Sequence, residues 1–340
     1  MVGAGGIATS AHLPAYRKLA DVELVGIADV RRDRADRAAQ QFGVARAFAD
    51  VDEMLTATRP DAVSVCTPNQ AHRTAVLAAL AAGSHVLCEK PLAAGVTDAA
   101  AMAAAAAATG RILTVGQHYR FTAEARVARA MAAAGEVGHV YYGRAQAIRR
   151  RGTPGWGVFH RREHSGGGPL LDIGVHVLDL ALYLMDFPAP VEVLGTAGAR
   201  LVGRGTANTM GPLPGDADVE DFAAGLIRFA DGAALLLEAS WALNVTDEFN
   251  RVTLMGDAGG VEMFPLRTNR EAHGALLDTS PAWLPPVNAY DAEVAHFVAC
   301  CRGEAAPLVT LPQALTVMRI IDGVYRSAAT GRAVRLDGGR

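Results

Sequence analysis

From the start of the chain to about residue 118, short apolar runs alternate with alanine-rich stretches of helix-forming composition. That rhythm restricts this part of the chain to a parallel sheet with helices on both faces. Residues 22–28, 62–66, 85–88 and 112–116 read as strands. Residues 12–20, 34–42, 71–82 and 97–109 read as helices that end near Gly or Asp. Beyond about residue 120 a helix at 123–134 is followed by strand-like segments at 140–149, 191–201, 222–229, 233–242 and 251–255. Asp231-Gly232, between two of them, is a hairpin signal. Strands that follow one another without helices pair antiparallel, so this half reads as α+β. One helix at 171–185 interrupts it, and helices at 290–301 and 311–329 close the chain. Residues 202–218, rich in Gly, Pro, Thr and Asn, read as a long loop. The expected division is an α/β domain over 1–120 and an α+β domain with an open, mostly antiparallel sheet over 121–340.

The charge balance of −3 lacks the basic excess of a nucleic-acid binder. No charged leader and no apolar stretch near the roughly 20 residues of a membrane span is read in the sequence, so a cytoplasmic protein without membrane attachment is expected. Cys66, Cys88, Cys300 and Cys301 form no CxxC pair, which fits reduced thiols and neither a zinc site nor a disulfide framework. No metal is expected. Only two lysines, Lys18 and Lys90, stand among 32 Lys and Arg residues, so each is worth inspecting.

Gly3, Gly5, Gly6, Ile7 and Ala8 form G-x-G-x-x-A, in which small residues allow a tight turn and let backbone amides approach a pyrophosphate at a helix start. Asp29 ends the next apolar run, where a carboxylate hydrogen-bonds the adenosine ribose. Together they point to a Rossmann domain and favour NAD over NADP, since a 2′-phosphate there meets a negative charge. Val30 and Arg34 belong to the same ribose end; Arg31, Arg32 and Arg34 soften the preference. Only Met1 and Val2 precede Gly3, whereas a first strand usually has about five residues. Either residues are missing from the start or that strand is unusually short.

Thr67, Pro68 and Asn69, with His72 on the following turn, lie at the C-terminal end of a predicted parallel strand, the edge where open α/β sheets hold ligands. Glu89-Lys90-Pro91 ends the next strand. A lysine there, in a chain that otherwise uses arginine, suggests a need for a compact ammonium, against the bland reading of a solvated side chain. Ser165 to His176 reads as a glycine loop running into a helix, with Asp172 and His176 spaced to share a face. A carboxylate beside an imidazole suits a general base; in isolation a capping Asp and a packed His would be the better explanation, but beside the cofactor motif and the strand-end lysine the preference reverses.

Taken together, the G-x-G-x-x-A turn, Asp29, Thr67-Pro68-Asn69 with His72, Glu89-Lys90-Pro91 and Asp172 with His176 resemble the glucose-fructose oxidoreductase, inositol dehydrogenase and MocA family across nearly the whole chain. The resemblance implies a Rossmann domain, then an open antiparallel sheet, metal-free oxidation or reduction of sugars and cyclitols, and a substrate held between the domains. It implies that Lys90 bonds the reacting oxygen, that His176 is the acid/base, and that Asp172 orients the substrate and supports His176. Asn69, His72, Glu89 and Gln117 would contact or frame the cofactor, and the sheet would form a homodimer or homotetramer.

The stretch 149–162 leads directly to Asp172 and carries Trp156 and His160, which are expected at the substrate. Tyr119 and Arg120, after the last Rossmann strand, are expected there too. Trp156 and Phe159 could equally anchor the loop to the core, and the arginines could bind an acidic sugar or be solvated. A sugar, glycoside or antibiotic-pathway amino sugar is the substrate class expected. Inositol oxidation is the alternative, and a non-catalytic NAD(P)-binding sensor or scaffold is the reading from another class; Lys90, Asp172 and His176 argue against the latter.

Overall fold

The computed structural model describes residues 1–202, 204–205, 207–213 and 215–336. Of the loop read at 202–218, residues 203, 206 and 214 lie outside the described residues. The chain divides into two compact units, Met1–Phe121 with Val287–Leu315, and Thr122–Pro286 with Thr316–Arg340.

The first unit carries β1 (Ile27–Ala28), β2 (Ala47–Phe48), β3 (Ala62–Val65), β4 (His85–Glu89) and β5 (Leu113–Gly116). β1 pairs β2 in parallel, and β3, β4 and β5 form a second parallel set. Val2 joins the two sets by parallel bridges to Ala28 and Val65. Its N–H donates to Ser64 O at 2.8 Å and its carbonyl accepts from Cys66 N at 2.7 Å. Val2 thus occupies the place between the two sets where the first strand is expected. The strand read at 22–28 shrinks to Ile27–Ala28 because a strand persists only where neighbours pair with it: β2 pairs with both residues, and Val2 bridges Ala28. Two short elements, β2 and helix Val51–Thr58, had no clear periodic signal.

Residues 287–315, expected in the second domain, cluster with the first unit instead. Helix Ala289–Cys301 places Val294 and Phe297 in one core cluster with Ala15, Tyr16 and Leu87. Full burial of each such side chain is worth about 1.5–3 kcal/mol, which decides the matter against proximity in sequence.

In the second unit β6 (Val140–Ile148), β7 (Pro190–Gly198), β8 (Phe222–Phe229), β9 (Ala234–Ser240), β10 (Phe249–Gly256), β11 (Gly260–Met263), β12 (Arg267–Ala272), β13 (Ala275–Thr279) and β14 (Val334–Arg335) form one sheet. Its order is β13-β12-β11-β10-β6-β9-β8-β7-β14, and β6 with β9 is the parallel pair in an otherwise antiparallel sheet. The Asp231-Gly232 hairpin joins β8 to β9 as expected. Val193, Ile227, Leu235, Leu254 and Val261 make one inward row across the strands, and Leu194, Leu226 and Leu236 an outward one. Helix Val175–Leu184 packs on β6 and β10. The run Arg162–Leu184 is long and apolar enough to cross a membrane, a length not expected from the sequence, but 83% of its apolar window is buried, which makes it core.

Candidate active site

The glycine turn is built by contact with the sheet. Gly3 has φ +89°, and a Cβ there would stand 2.6 Å from Cys66 O, so only glycine fits between the strands. At Gly5 and Gly6, by contrast, a Cβ would meet nothing within 4 Å. Asp29 braces this turn: Ala4 N–H donates to Oδ2 and Arg31 N–H to Oδ1, both at 2.8 Å. Ile7 and Ala8 lie in the helical turn that starts at Gly6, and Val30 and Arg34 are exposed. Arg31 and Arg32 are ion-paired to Asp33 and Asp36.

Along the C-terminal edge of the parallel strands, Thr67 Oγ1 and Gln117 Oε1 are buried polar atoms with no hydrogen-bond partner. Pro68 caps helix Asn69–Ala81, so Asn69 starts it. Open space over Gly5 and Gly6 and two orphaned polar atoms at this edge fit a dinucleotide. His72 does not share that position. It is fully buried, with Nδ1 3.0 Å from Pro91 O and Nε2 2.9 Å from Thr67 O, so it braces the two strand ends that form this edge. Burial pushes its pKa down against the pull of those carbonyls.

Lys90 follows β4, its N–H donating to Glu89 Oε2 at 3.1 Å. The other oxygen of Glu89 lies 2.8 Å from His12 Nε2, and both side chains are buried. Burial opposes the charge on each member, but each charge stabilises the other, and Cys66 adds to the effect on His12. His12 is held well above, and Glu89 below, its ordinary range. Nothing in the local pattern of the sequence pointed to His12 as the partner. Lys18, the other lysine, is an exposed ion pair with Asp291 at 2.5 Å.

After β5, Gln117 leads into the turn His118–Phe121. His118 stacks on Tyr290 with centroids 4.3 Å apart. Burial, then the charges of Lys90 and His12 against that of Glu89, pushes His118 down to about 4. Tyr119 is half-buried. Arg120, expected at the substrate, is instead fully buried: its Nη1 donates to Leu308 O at 2.9 Å and to Gln313 Oε1 at 2.8 Å. The turn aims it into the returning segment 303–313, which no local pattern could reveal.

The folded pKa of His118 lies below its ordinary 6.5, so the unfolded chain binds more protons between about 6.5 and 4. Its stabilising contribution is full above 6.5 and is lost as pH falls toward 4. That of Glu89 is lost only as pH falls below its ordinary 4.5, and that of His12 only as pH rises above 6.5. Urea midpoints at pH 7 and pH 5 should therefore fall less on acidification in His118→Phe, which keeps the stack, than in the parent. Equal falls would remove His118 from this account.

In the second unit, Gly167 and Gly168 pack rather than cradle. A Cβ at Gly168 would stand 2.2 Å from Glu220 O and one at Gly167 2.3 Å from the Tyr325 hydroxyl. Glu220 Oε1 accepts from Gly168 N at 2.9 Å and from Tyr325 OH at 2.7 Å, and burial raises its pKa. The loop then enters a π turn, Leu170–Gly174, which carries Asp172, and continues as helix Val175–Leu184 with His176 buried on its first turn. Gly174 lets the turn lie on β9, where a Cβ would meet that of Ala239 at 2.8 Å. Asp172 Oδ2 accepts from Trp241 Nε1 at 3.0 Å, a partner that only the fold reveals.

The loop at 149–162 is tied to residues 208–211: Thr153 and Asn208 exchange two hydrogen bonds, and Gly155 N donates to Met210 O. Trp156 is 53% exposed, so it does not anchor the loop to the core, and Phe159 is half-buried. His160 is buried with Nε2 3.5 Å from Asp216. Arg149 and Arg151 donate to backbone and side-chain groups of the loops themselves.

Against known proteins, residues 1–117 match the profile of an oxidoreductase family with an NAD-binding Rossmann fold, and residues 129–336 that family's C-terminal alpha/beta domain. D-glucoside 3-dehydrogenase of Escherichia coli (strain K12) is 35% identical over 99% of this chain and 96% of its own length. A putative UDP-kanosamine synthase oxidoreductase subunit of Amycolatopsis mediterranei (strain S699) is 30% identical over 98% and 96%. The crystal structure of an oxidoreductase domain protein from Kribbella flavida superposes with TM-score 0.86 at 25% identity, covering 98% of this chain and 97% of the other. The two profiles, both on one chain and in this order, show that it belongs to the glucose-fructose oxidoreductase, inositol dehydrogenase and MocA family of oxidoreductases.

Proposed function

We propose that the protein oxidises a secondary hydroxyl of a D-glucoside, at carbon 3, with transfer of the hydride to NAD. The observation that carries this reading is the full-length similarity to D-glucoside 3-dehydrogenase. The nicotinamide, when bound, takes or gives the hydride. Gly3, Gly5, Gly6, Thr67, Asn69 and Gln117 would hold the dinucleotide, and Asp29 its ribose. Lys90 donates to the reacting oxygen and stabilises the charge that develops as its proton leaves. His176 takes that proton, and Asp172 orients the hydroxyl. Trp156, exposed on its loop, is suited to pack against a sugar ring. Preference for NAD over NADP rests on Asp29 and on the internal pairing of Arg31 and Arg32. Leu194, Leu226 and Leu236 on the outer sheet face favour assembly into a homodimer or homotetramer.

Purified protein should raise nicotinamide absorbance with NAD and methyl D-glucosides and stay silent with myo-inositol. Reduction with inositol alone would overturn the glucoside reading. Asp29→Ala should weaken NAD more than NADP in direct binding; equal losses would remove the ribose assignment.

A further inference from the structure

We propose that Trp241 is a positioning residue that sets the orientation of the Asp172 carboxylate. The inference rests on the reading that Asp172 takes part in the reaction. Trp241 follows β9, is fully buried, and donates from Nε1 to Asp172 Oδ2 at 3.0 Å.

Its indole N–H is directed at a carboxylate, and its backbone is held on both sides. The backbone N–H donates to Asp221 O at 2.9 Å and the carbonyl accepts from Gly152 N at 2.8 Å. The flanking residue Ala242 forms an antiparallel bridge with Arg151. Asp221 is itself immobilised: its Oδ2 accepts from the N–H groups of Arg200, Leu201 and Val202, and the residue is fully buried. A buried donor on a backbone held in this way favours the carboxylate rotamer that keeps Oδ2 within reach of Nε1.

Asp172 sits on a π turn, a rare winding that frequently marks functional sites. The same tryptophan backbone anchors Gly152, which starts the loop bearing the exposed Trp156. One residue thus sets both the carboxylate and the root of the loop that faces solvent beside it in sequence.

The test is a double-mutant cycle on the full-length protein, read as kcat and KM for methyl β-D-glucopyranoside with NAD. Trp241→Phe keeps the ring and removes the donor. It should lower kcat by about tenfold or more, the worth of a hydrogen bond to a charged acceptor, with NAD affinity unchanged. Asp172→Ala should lower kcat further, and the double variant should be no slower than Asp172→Ala alone. If the double loss equals the product of the single losses, Trp241 acts independently of Asp172 and the proposal falls.

A second readout does not depend on turnover. In a Trp156→Phe, Trp283→Phe background Trp241 is the one indole left of three, and adding Asp172→Ala should change its emission. Unaltered emission would also overturn the proposal. If Asp172→Ala keeps the parent kcat, the functional reading of Asp172 fails and the positioning role with it. If Asp172→Ala is slow while Trp241→Phe is not, the positioning role alone fails.

Discussion

Lys90→Ala is expected to lower turnover about a hundredfold or more, the scale of groups that stabilise charge at a reacting oxygen, while NAD still binds. The residue is held by its backbone: Lys90 N–H is fixed on Glu89 Oε2 and Glu89 on His12, so the side chain starts from a defined point. Lys90→Arg should not rescue it, because a planar guanidinium cannot replace a compact ammonium at one oxygen. The check is the rate of NAD reduction against NAD affinity from quenching of tryptophan emission. Unchanged turnover in Lys90→Ala would remove the residue from the mechanism; lost NAD binding with lost turnover would make it a cofactor ligand instead.

Gly3→Ala should destabilise the protein by about 2–4 kcal/mol, in the range of a backbone clash in a core. Two penalties combine there, a left-handed φ of +89° and a Cβ placed 2.6 Å from Cys66 O. Relief requires moving the chain at Val2, which bridges both halves of the first sheet, so the damage cannot stay local. Gly5→Ala provides the contrast. Its Cβ meets nothing of the protein, so stability should change by less than about 1 kcal/mol while NAD affinity falls, because the methyl occupies the space a pyrophosphate would approach. Urea unfolding and NAD titration of both variants decide it; a stable Gly3→Ala would show that the strands part at little cost.

What could be read from the amino-acid sequence was what depends on neighbours in sequence. The βαβ rhythm, the Asp231-Gly232 hairpin and the switch to an antiparallel sheet follow from periodicities of a few residues, and the family follows from motifs at fixed spacing. Gly3, Asp29, Glu89, Lys90, Asp172 and His176 were legible as positions for the same reason. Only the tertiary structure decided which of the surrounding side chains serve the fold. Arg120 turned inward to Leu308 and Gln313, and His72 became a clamp between two carbonyls. Residues 287–315 returned to the first unit for the sake of Val294 and Phe297. His12 on Glu89 and Trp241 on Asp172 bring together residues 77 and 69 positions apart. No local propensity encodes such pairs, because a buried charge or carboxylate finds its partner through packing of whole elements, after the chain's own periodicities have been satisfied.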